Sequence, residues 1–471
     1  MIKPTIRPKI RGTGNMTRIF VLGMAPLPFE NQPHIFGPSL RTWQFVQPLL
    51  NDGHEVCLCC CRIYCAYEET PSPITKLEMG PLTYYHMDPG KFEDHDTIQQ
   101  ICDAFHPDCV VAATAHPSSR ASRLVTTKPI WVDVYGDVMS EAQAKAYVYD
   151  DDRYLLHFWS IMKPILETGD IFSSVSERQR YALLGELATA GRFNKHSLGY
   201  DFVRVIPCGI ENREFRHDKR VLRGIHVDDS DFVVLWNGGF NTWTDVDTLF
   251  QGLETAMKRN DHVRFVCAGA EIPGHDERTY AKFTKLVEGS KVRGNFVLLG
   301  WVHPADIHNY YFEADLGINV DRSCYEAVFG SRNRILGWLQ AGLPVLTTDL
   351  TELSQILKDQ GIATTYPPHS PKDLAQSILQ LAEDSSLLRK RGEAGKRFVF
   401  ENFTFEKTTM PLREWVASPS LAPDHGMRIA LDRMGSRSRI FGLWDSFAYL
   451  AKAEGIGTAC SRSIRWLLAR V

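Results

Sequence analysis

Gly330-Ser-Arg-Asn-Arg-Ile-Leu-Gly-Trp-Leu-Gln-Ala-Gly-Leu-Pro344-Val-Leu-Thr-Thr348 is the stretch that decides the fold. It reads as a helix ending in Ala341-Gly342-Leu343-Pro344-Val345, followed at once by a strand over Pro344–Thr347. Working outward, short apolar runs alternate with helical patterns almost throughout, the signature of parallel sheets wrapped by helices. In the same half, strands are expected at Phe232–Trp236, Val263–Ala268, Phe296–Leu299, Leu316–Val320 and Ile362–Thr365. An earlier series comprises Arg18–Leu22, Glu55–Cys61, Asp108–Ala113, Ile130–Val134, Ile171–Val175 and Val203–Pro207. Two such series imply an α/β chain of two Rossmann-like domains, joined near Pro207 to Phe215 and facing across a cleft. Ligands of these sheets lie beyond the carboxyl ends of the strands.

Helix signals agree with this division. Leu40, Trp43, Val46 and Leu50 recur at helical spacing and stop at Asp52-Gly53. Ser370-Pro371-Lys372-Asp373 supplies an N-cap, a first-position proline and a first-turn acid ahead of Leu374, Ile378 and Leu381. The expected division is a basic arm at 1–15, a first domain at 16–208 and a second at 209–403. A helix at 404–417 returns to the first domain, and an extension occupies 418–471.

The 471 residues are 44% hydrophobic and 23% charged, with a net charge of −3, so nothing global points to a nucleic-acid partner. No run approaches the roughly 20 apolar residues needed to span a bilayer. Five of eleven cysteines crowd into Cys57, Cys59, Cys60, Cys61 and Cys65. Neighbours on a strand point to opposite faces, so three adjacent thiols cannot converge on one metal ion; a buried strand using cysteine as a small apolar residue is expected. The scattered remainder suits a reducing cytoplasm. In the extension, Arg428, Arg433, Arg437, Arg439, Lys452, Arg462, Arg465 and Arg470 outnumber the acids and interleave with Phe441, Trp444, Phe447 and Trp466. Two expectations follow: a helix packing its aromatics on the body with its arginines solvated, or peripheral contact with the inner face of a membrane.

The quoted run resembles the signature of retaining GT-B glycosyltransferases of the family 4 group. Leu298-Leu-Gly-Trp-Val302, Ala314-Asp315-Leu-Gly-Ile318, Gly37-Pro-Ser-Leu-Arg41, Asp52-Gly-His-Glu-Val56, Asp170-Ile-Phe-Ser-Ser-Val-Ser176 and Val205-Ile-Pro-Cys-Gly209 are similar to other family stretches, in family order. The resemblance spans about Met16 to Val416 and implies a nucleotide-sugar donor, anomeric retention and a glycan, lipid-linked or small-molecule acceptor. No resident cofactor or metal is implied; the nucleotide sugar is a co-substrate.

A donor diphosphate needs amide donors, cations or a metal. Gly238 and Gly239, ahead of a helix expected to open at Thr242 or Thr244, offer one phosphate-facing turn, with Asn241 beside them. Gly330 with Arg332 and Arg334 offers a second. The family's cation after the first glycine is replaced by Phe240, and its ribose-holding glutamate by Gly337. Arg332 and Arg334 are therefore expected to meet the phosphates and Glu326 the ribose. In the first domain, Gly37 and Arg41 mark the acceptor-side loop. Asp133, Tyr135, Asp137 and His116 at strand ends are the catalytic candidates, with Asp137 alternatively a helix cap. No Asp-x-Asp stands at a strand end, which predicts metal independence. Competing readings are a nucleotide-sugar epimerase or hydrolase, and a degenerate binding scaffold.

Overall fold

The computed structural model describes residues 16–63, 65–69, 71–428, 447–448, 451–452 and 455–461. The expected α/β architecture is present as two sheets, parallel but for one antiparallel edge strand in the first. The first contains β1 (Arg18–Ala25), β2 (Glu55–Arg62), β3 (Ile74–Met79), β4 (Leu82–Met87), β5 (Cys109–Ala112), β6 (Ile130–Asp133), β7 (Ile171–Ser174) and β8 (Val203–Val205), in the order 3-4-2-1-5-6-7-8. The second contains β9 (Phe232–Asn237), β10 (Val263–Ala268), β11 (Phe296–Leu298), β12 (Leu316–Asn319), β13 (Val345–Thr348) and β14 (Ala363–Tyr366), in the order 11-10-9-12-13-14. Connection direction reverses between β1 and β5 in one sheet and between β9 and β12 in the other. The carboxyl ends flanking those reversals are where such sheets bind ligands.

Strand β2 bears out the cysteine reading. Cys57, Cys59 and Cys61 join the core on one face of the sheet, with Phe20 and Val110, while Cys60 joins Val21 and Val111 on the other. Not foreseen was the hairpin of β3 and β4, antiparallel and turned at Gly80 with φ +62°. Met79-Gly-Pro-Leu82 between two alternating segments was the overlooked turn signal.

Beyond β14, the helix Met410–Ala417 lays Leu412, Trp415 and Val416 into the first domain's core, where Trp415 meets Trp131 edge-on at 5.5 Å. Asp424, wholly buried, pairs with buried Arg192 at 2.7 Å, and Arg428 pairs with Asp170 at 3.0 Å. The start of the extension is thus tied down by ion pairs, and Arg428 is paired where solvated arginines were expected. Arg433, Arg437, Arg439, Phe441, Trp444, Arg462, Arg465, Trp466 and Arg470, which carry most of the membrane expectation, lie outside the described residues. No helix among the described residues is long and apolar enough to cross a membrane.

Candidate functional site

Strand β6 delivers Asp133 to the domain's cleft end, but the side chain is wholly enclosed. It accepts from Arg41 Nε at 3.0 Å and Nη2 at 2.7 Å, from the Thr114 amide at 3.1 Å and from the Ser173 hydroxyl at 2.6 Å. Arg41 is equally buried and also donates to the Ile206 carbonyl at 2.8 Å. This pair fastens β6 to the helix Gly37–Asn51, so neither member is disposed to touch a ligand. Asp137 takes the Ser140 amide at 2.8 Å and so caps the helix Val138–Tyr149. His116 pairs with Glu93 at 2.5 Å on a half-exposed surface. Tyr135 does reach across: its hydroxyl accepts from Asn333 Nδ2 of the second domain at 2.5 Å. A Cβ on Gly37 would stand 2.9 Å from that hydroxyl and 3.5 Å from Asn333 Nδ2, so glycine there lets the two domains meet.

On the opposite side, the first glycine turn is closed. Gly238 has φ +82° and gives its amide to the Ala268 carbonyl at 3.0 Å, and a Cβ on Gly269 would lie 2.0 Å from the Gly238 carbonyl oxygen. Its glycines therefore serve a tight backbone approach between β9 and β10. A Cβ on Gly239 would meet Ile272, and the Asn241 amide goes to Thr244 Oγ1 at 3.3 Å. The helix opens at Val246, later than expected, because Asp245 caps it through the Thr248 amide at 3.1 Å. A carboxylate thus occupies the helix start that phosphate was expected to face. Phe240 is fully buried and stacks on Trp236 at 4.7 Å and Phe283 at 5.2 Å, a core plug at the position where the resemblance led to a cation being expected.

The second turn has the better chemistry, through one of its two arginines. Arg332 is spent: Nε holds Asp321 at 2.7 Å, and Nη1 and Nη2 hold Glu326 at 3.1 and 2.8 Å. Those carboxylates keep Arg332 protonated, and Glu326 is bound to it and not free for a ribose. A Cβ on Gly330 would press on the Glu326 carbonyl oxygen at 2.6 Å and Arg332 Nη1 at 3.0 Å. Arg334 differs. Its guanidinium lies 4.0 Å from the Trp236 ring centroid, and Nη2 donates to the Gly239 carbonyl at 2.9 Å. Nη1 is removed from solvent with no partner, and among the described residues no carboxylate forms an ion pair with the group. Desolvation pulls its pKa down to about 10. Arg334 stands in the first turn of the helix Asn333–Ala341, whose N-terminus has no side-chain cap.

Among the described residues, Asn237 Oδ1 ending β9, Thr242 Oγ1 in the following turn and Arg322 Nε beyond β12 are also buried without a hydrogen-bond partner. Buried polar groups are ordinarily satisfied, so these atoms are candidates to meet a polar ligand. Gly337 leaves room for Tyr311, whose hydroxyl would be 3.3 Å from a Cβ there and accepts from Asn237 Nδ2 at 3.1 Å.

Residues 231–384 match the family model described as glycosyl transferases group 1. The match covers about a third of the chain and lies within the second domain. Among solved structures, sucrose-phosphate synthase from Thermosynechococcus elongatus superposes with a TM-score of 0.64 at 14% identity, covering 84% of this chain and 98% of that one. A trehalose-6-phosphate structure from E. coli, bound with UDP-2-fluoro glucose, gives 0.64 at 11%, covering 86% and 100%. Anabaena HepE in complex with UDP-glucose gives 0.59 at 13%, covering 85% and 100%. At such identities the likeness establishes the two-domain GT-B fold. No curated protein matches the sequence.

Sequence reading missed the groups that bridge the second domain to the first. Glu141, in the first turn of the helix Val138–Tyr149, lies 3.7 Å from His275. Burial, reinforced by Glu326, lifts its carboxyl to about 7; burial and Lys145 hold His275 down at about 4. Tyr149 adds a hydrogen-bonding contact to Asp276 at 3.2 Å and accepts from the Glu277 amide at 3.1 Å. A glutamate in the first turn of a capped helix carries no signal of its own, because helix starts favour acids anyway.

Proposed function

We propose that the chain transfers a sugar from a nucleotide-diphosphate sugar to a carbohydrate acceptor. Arg334 Nη1 and the open start of its helix receive the diphosphate, and Asn237 Oδ1 and Thr242 Oγ1 receive donor hydroxyls. The observation that carries this reading is the unpaired, desolvated guanidinium of Arg334 beside the β9–β12 reversal. A buried cation without a counter-ion is costly unless an anion completes it. Its charge is fixed in place before leaving-group charge develops, so it stabilises the departing diphosphate without reorganisation.

Retention through an oxocarbenium-like state, with the acceptor attacking on the face the diphosphate leaves, needs no protein nucleophile. Asp133, fully engaged with Arg41, is consistent with that. Metal independence follows from the same assignment, because Arg334 supplies the charge a divalent ion would otherwise bring. Asp150-Asp151-Asp152 joins two helices and stands at no strand end.

A screen of UDP-, GDP-, ADP- and TDP-sugars for thermal stabilisation tests the donor assignment. A ligand at a hundred times its Kd adds about 2.7 kcal/mol. Stabilisation by none of them overturns it, and NMR of the product anomer decides retention. The scaffold reading, favoured by Phe240 and Gly337, predicts nucleotide binding with no turnover against any acceptor.

A further inference from the structure

We infer that the acceptor is an amine-bearing saccharide without a phosphate, and that it occupies the cavity between the two domains beyond the carboxyl end of β6. This inference rests on the transferase reading above. The cavity measures about 870 Å³ and is walled by Asp137, Tyr147, Asp150 and Asp152 of the first domain and Tyr325 and Phe329 of the second. That size lies within the range of small-ligand sites.

Tyr147 and Tyr325 are 71% and 62% exposed, and Tyr325 stacks on Phe329 at 5.9 Å. Flat aromatic faces left open to solvent suit the C–H faces of sugar rings. The cavity adjoins the donor site: Phe329 immediately precedes Gly330, and the charge of Asp137 is felt at Glu326.

Charge selects among saccharides. Among the described residues, no lysine or arginine lines the cavity. Arg153 is bound to Asp151 at 2.8 Å, and the guanidinium carbon of Arg322 lies over the Tyr147 ring, 5.3 Å from its centroid. Asp150 and Asp152 form no ion pair among the described residues, and with Asp137 and Asp151 the four aspartates of the lining outnumber these two arginines, so the cavity is net acidic. A sugar phosphate would bring a charge of about −2 into that cavity. An ammonium group would instead meet Asp150 or Asp152 while its ring lies on a tyrosine. This sets the chain apart from the sucrose-phosphate synthase whose fold it shares.

The test is calorimetric titration of the full chain, with and without UDP, using three probes: the deacetylated glucosamine trisaccharide, its N-acetylated counterpart and glucose 6-phosphate. The amine trisaccharide should bind about tenfold tighter than the acetylated one, with glucose 6-phosphate weakest. The double variant Asp150→Asn and Asp152→Asn should abolish that preference; asparagine tolerates the left-handed φ of 52° at position 150, so folding is preserved. Tyr325→Ala should weaken both trisaccharides alike. Tightest binding by glucose 6-phosphate, or an amine preference that survives the double variant, overturns the inference. Failure of UDP to bind would instead overturn the donor reading, and the titrations without UDP would still decide this one.

Discussion

Replacing Arg334 with methionine should move stability and nucleotide affinity in opposite directions. In the free protein the guanidinium has lost water without gaining a carboxylate, and its pKa has fallen from 12.5 to about 10. That shift corresponds to about 3 kcal/mol of penalty on the charged form. The Trp236 face returns about 1 kcal/mol of it. The hydrogen bond to the Gly239 carbonyl is worth about 1 kcal/mol more. Methionine, of similar length, removes both the penalty and these contacts, so ligand-free R334M should be more stable by about 1 kcal/mol. With nucleotide present the sign reverses. A charge-assisted hydrogen bond to a phosphate contributes about 1.5–3 kcal/mol, so UDP should bind about 10- to 150-fold more weakly. Arg334→Lys should recover part of that loss, keeping the charge without the planar fork. Urea unfolding of the free protein and calorimetric titration of UDP read the two effects separately. R334M binding UDP as tightly as the unaltered chain would refute the assignment, and so would a less stable free protein whose UDP affinity is unchanged.

Arg41→Met strands the Asp133 carboxylate in the core and should cost about 3–5 kcal/mol by urea unfolding, well above the effect of a surface arginine. Asp424→Asn leaves Arg192 buried beside a neutral partner and should destabilise by about 3 kcal/mol; a loss below 1 kcal/mol would show that residues 418–428 do not hold their place. Glu141 has a folded pKa near 7, above the 4.5 of an ordinary glutamate, so the folded state binds its proton more tightly than the unfolded state does. Stability is therefore lost as pH rises from about 4.5 to 7, and Glu141→Gln should gain up to about 3 kcal/mol over the unaltered chain at pH 8 and almost nothing at pH 4.5. Equal gains at both pH values would refute that origin.

Twelve of the fourteen strands among the described residues were legible because each is a short apolar run ended by a turn residue, and that pattern survives in a single sequence. The β3–β4 hairpin escaped because its outer strand is half exposed and mixed in character, as a sheet edge permits. Side-chain commitments were harder to read. Asp133, Arg41, Arg332 and Glu326 are the residue types a transferase site uses, and each sits at a strand end or helix start. The fold pairs them with one another instead. A charge meets its counter-charge from a distant segment: Arg41 and Asp133 are 92 positions apart, Arg192 and Asp424 232. No local pattern records such a pairing. Arg334 was legible as a candidate, but only the structure separates it from Arg332 two residues earlier.

That separation makes one device of two departures from the family pattern. The loop after β9 carries no cation because Phe240 is turned inward against Trp236 and Phe283. Trp236, held there, then presents its ring to Arg334 at 4.0 Å. A guanidinium tolerates that setting because it is weakly hydrated and stacks on aromatic faces, where a lysine ammonium would not. On the proposed reading, the positive charge that meets the diphosphate stands on the helix and not on the loop, across the same reversal in the sheet. Beside Gly337, Tyr311 fills the space and binds Asn237 Nδ2, which leaves Asn237 Oδ1 without a partner among the described residues; the proposed reading gives it a donor hydroxyl. If that placement holds, a cation introduced at the loop, as in Phe240→Lys, cannot substitute for Arg334. It would break the Trp236 packing that positions the guanidinium, and UDP affinity would fall.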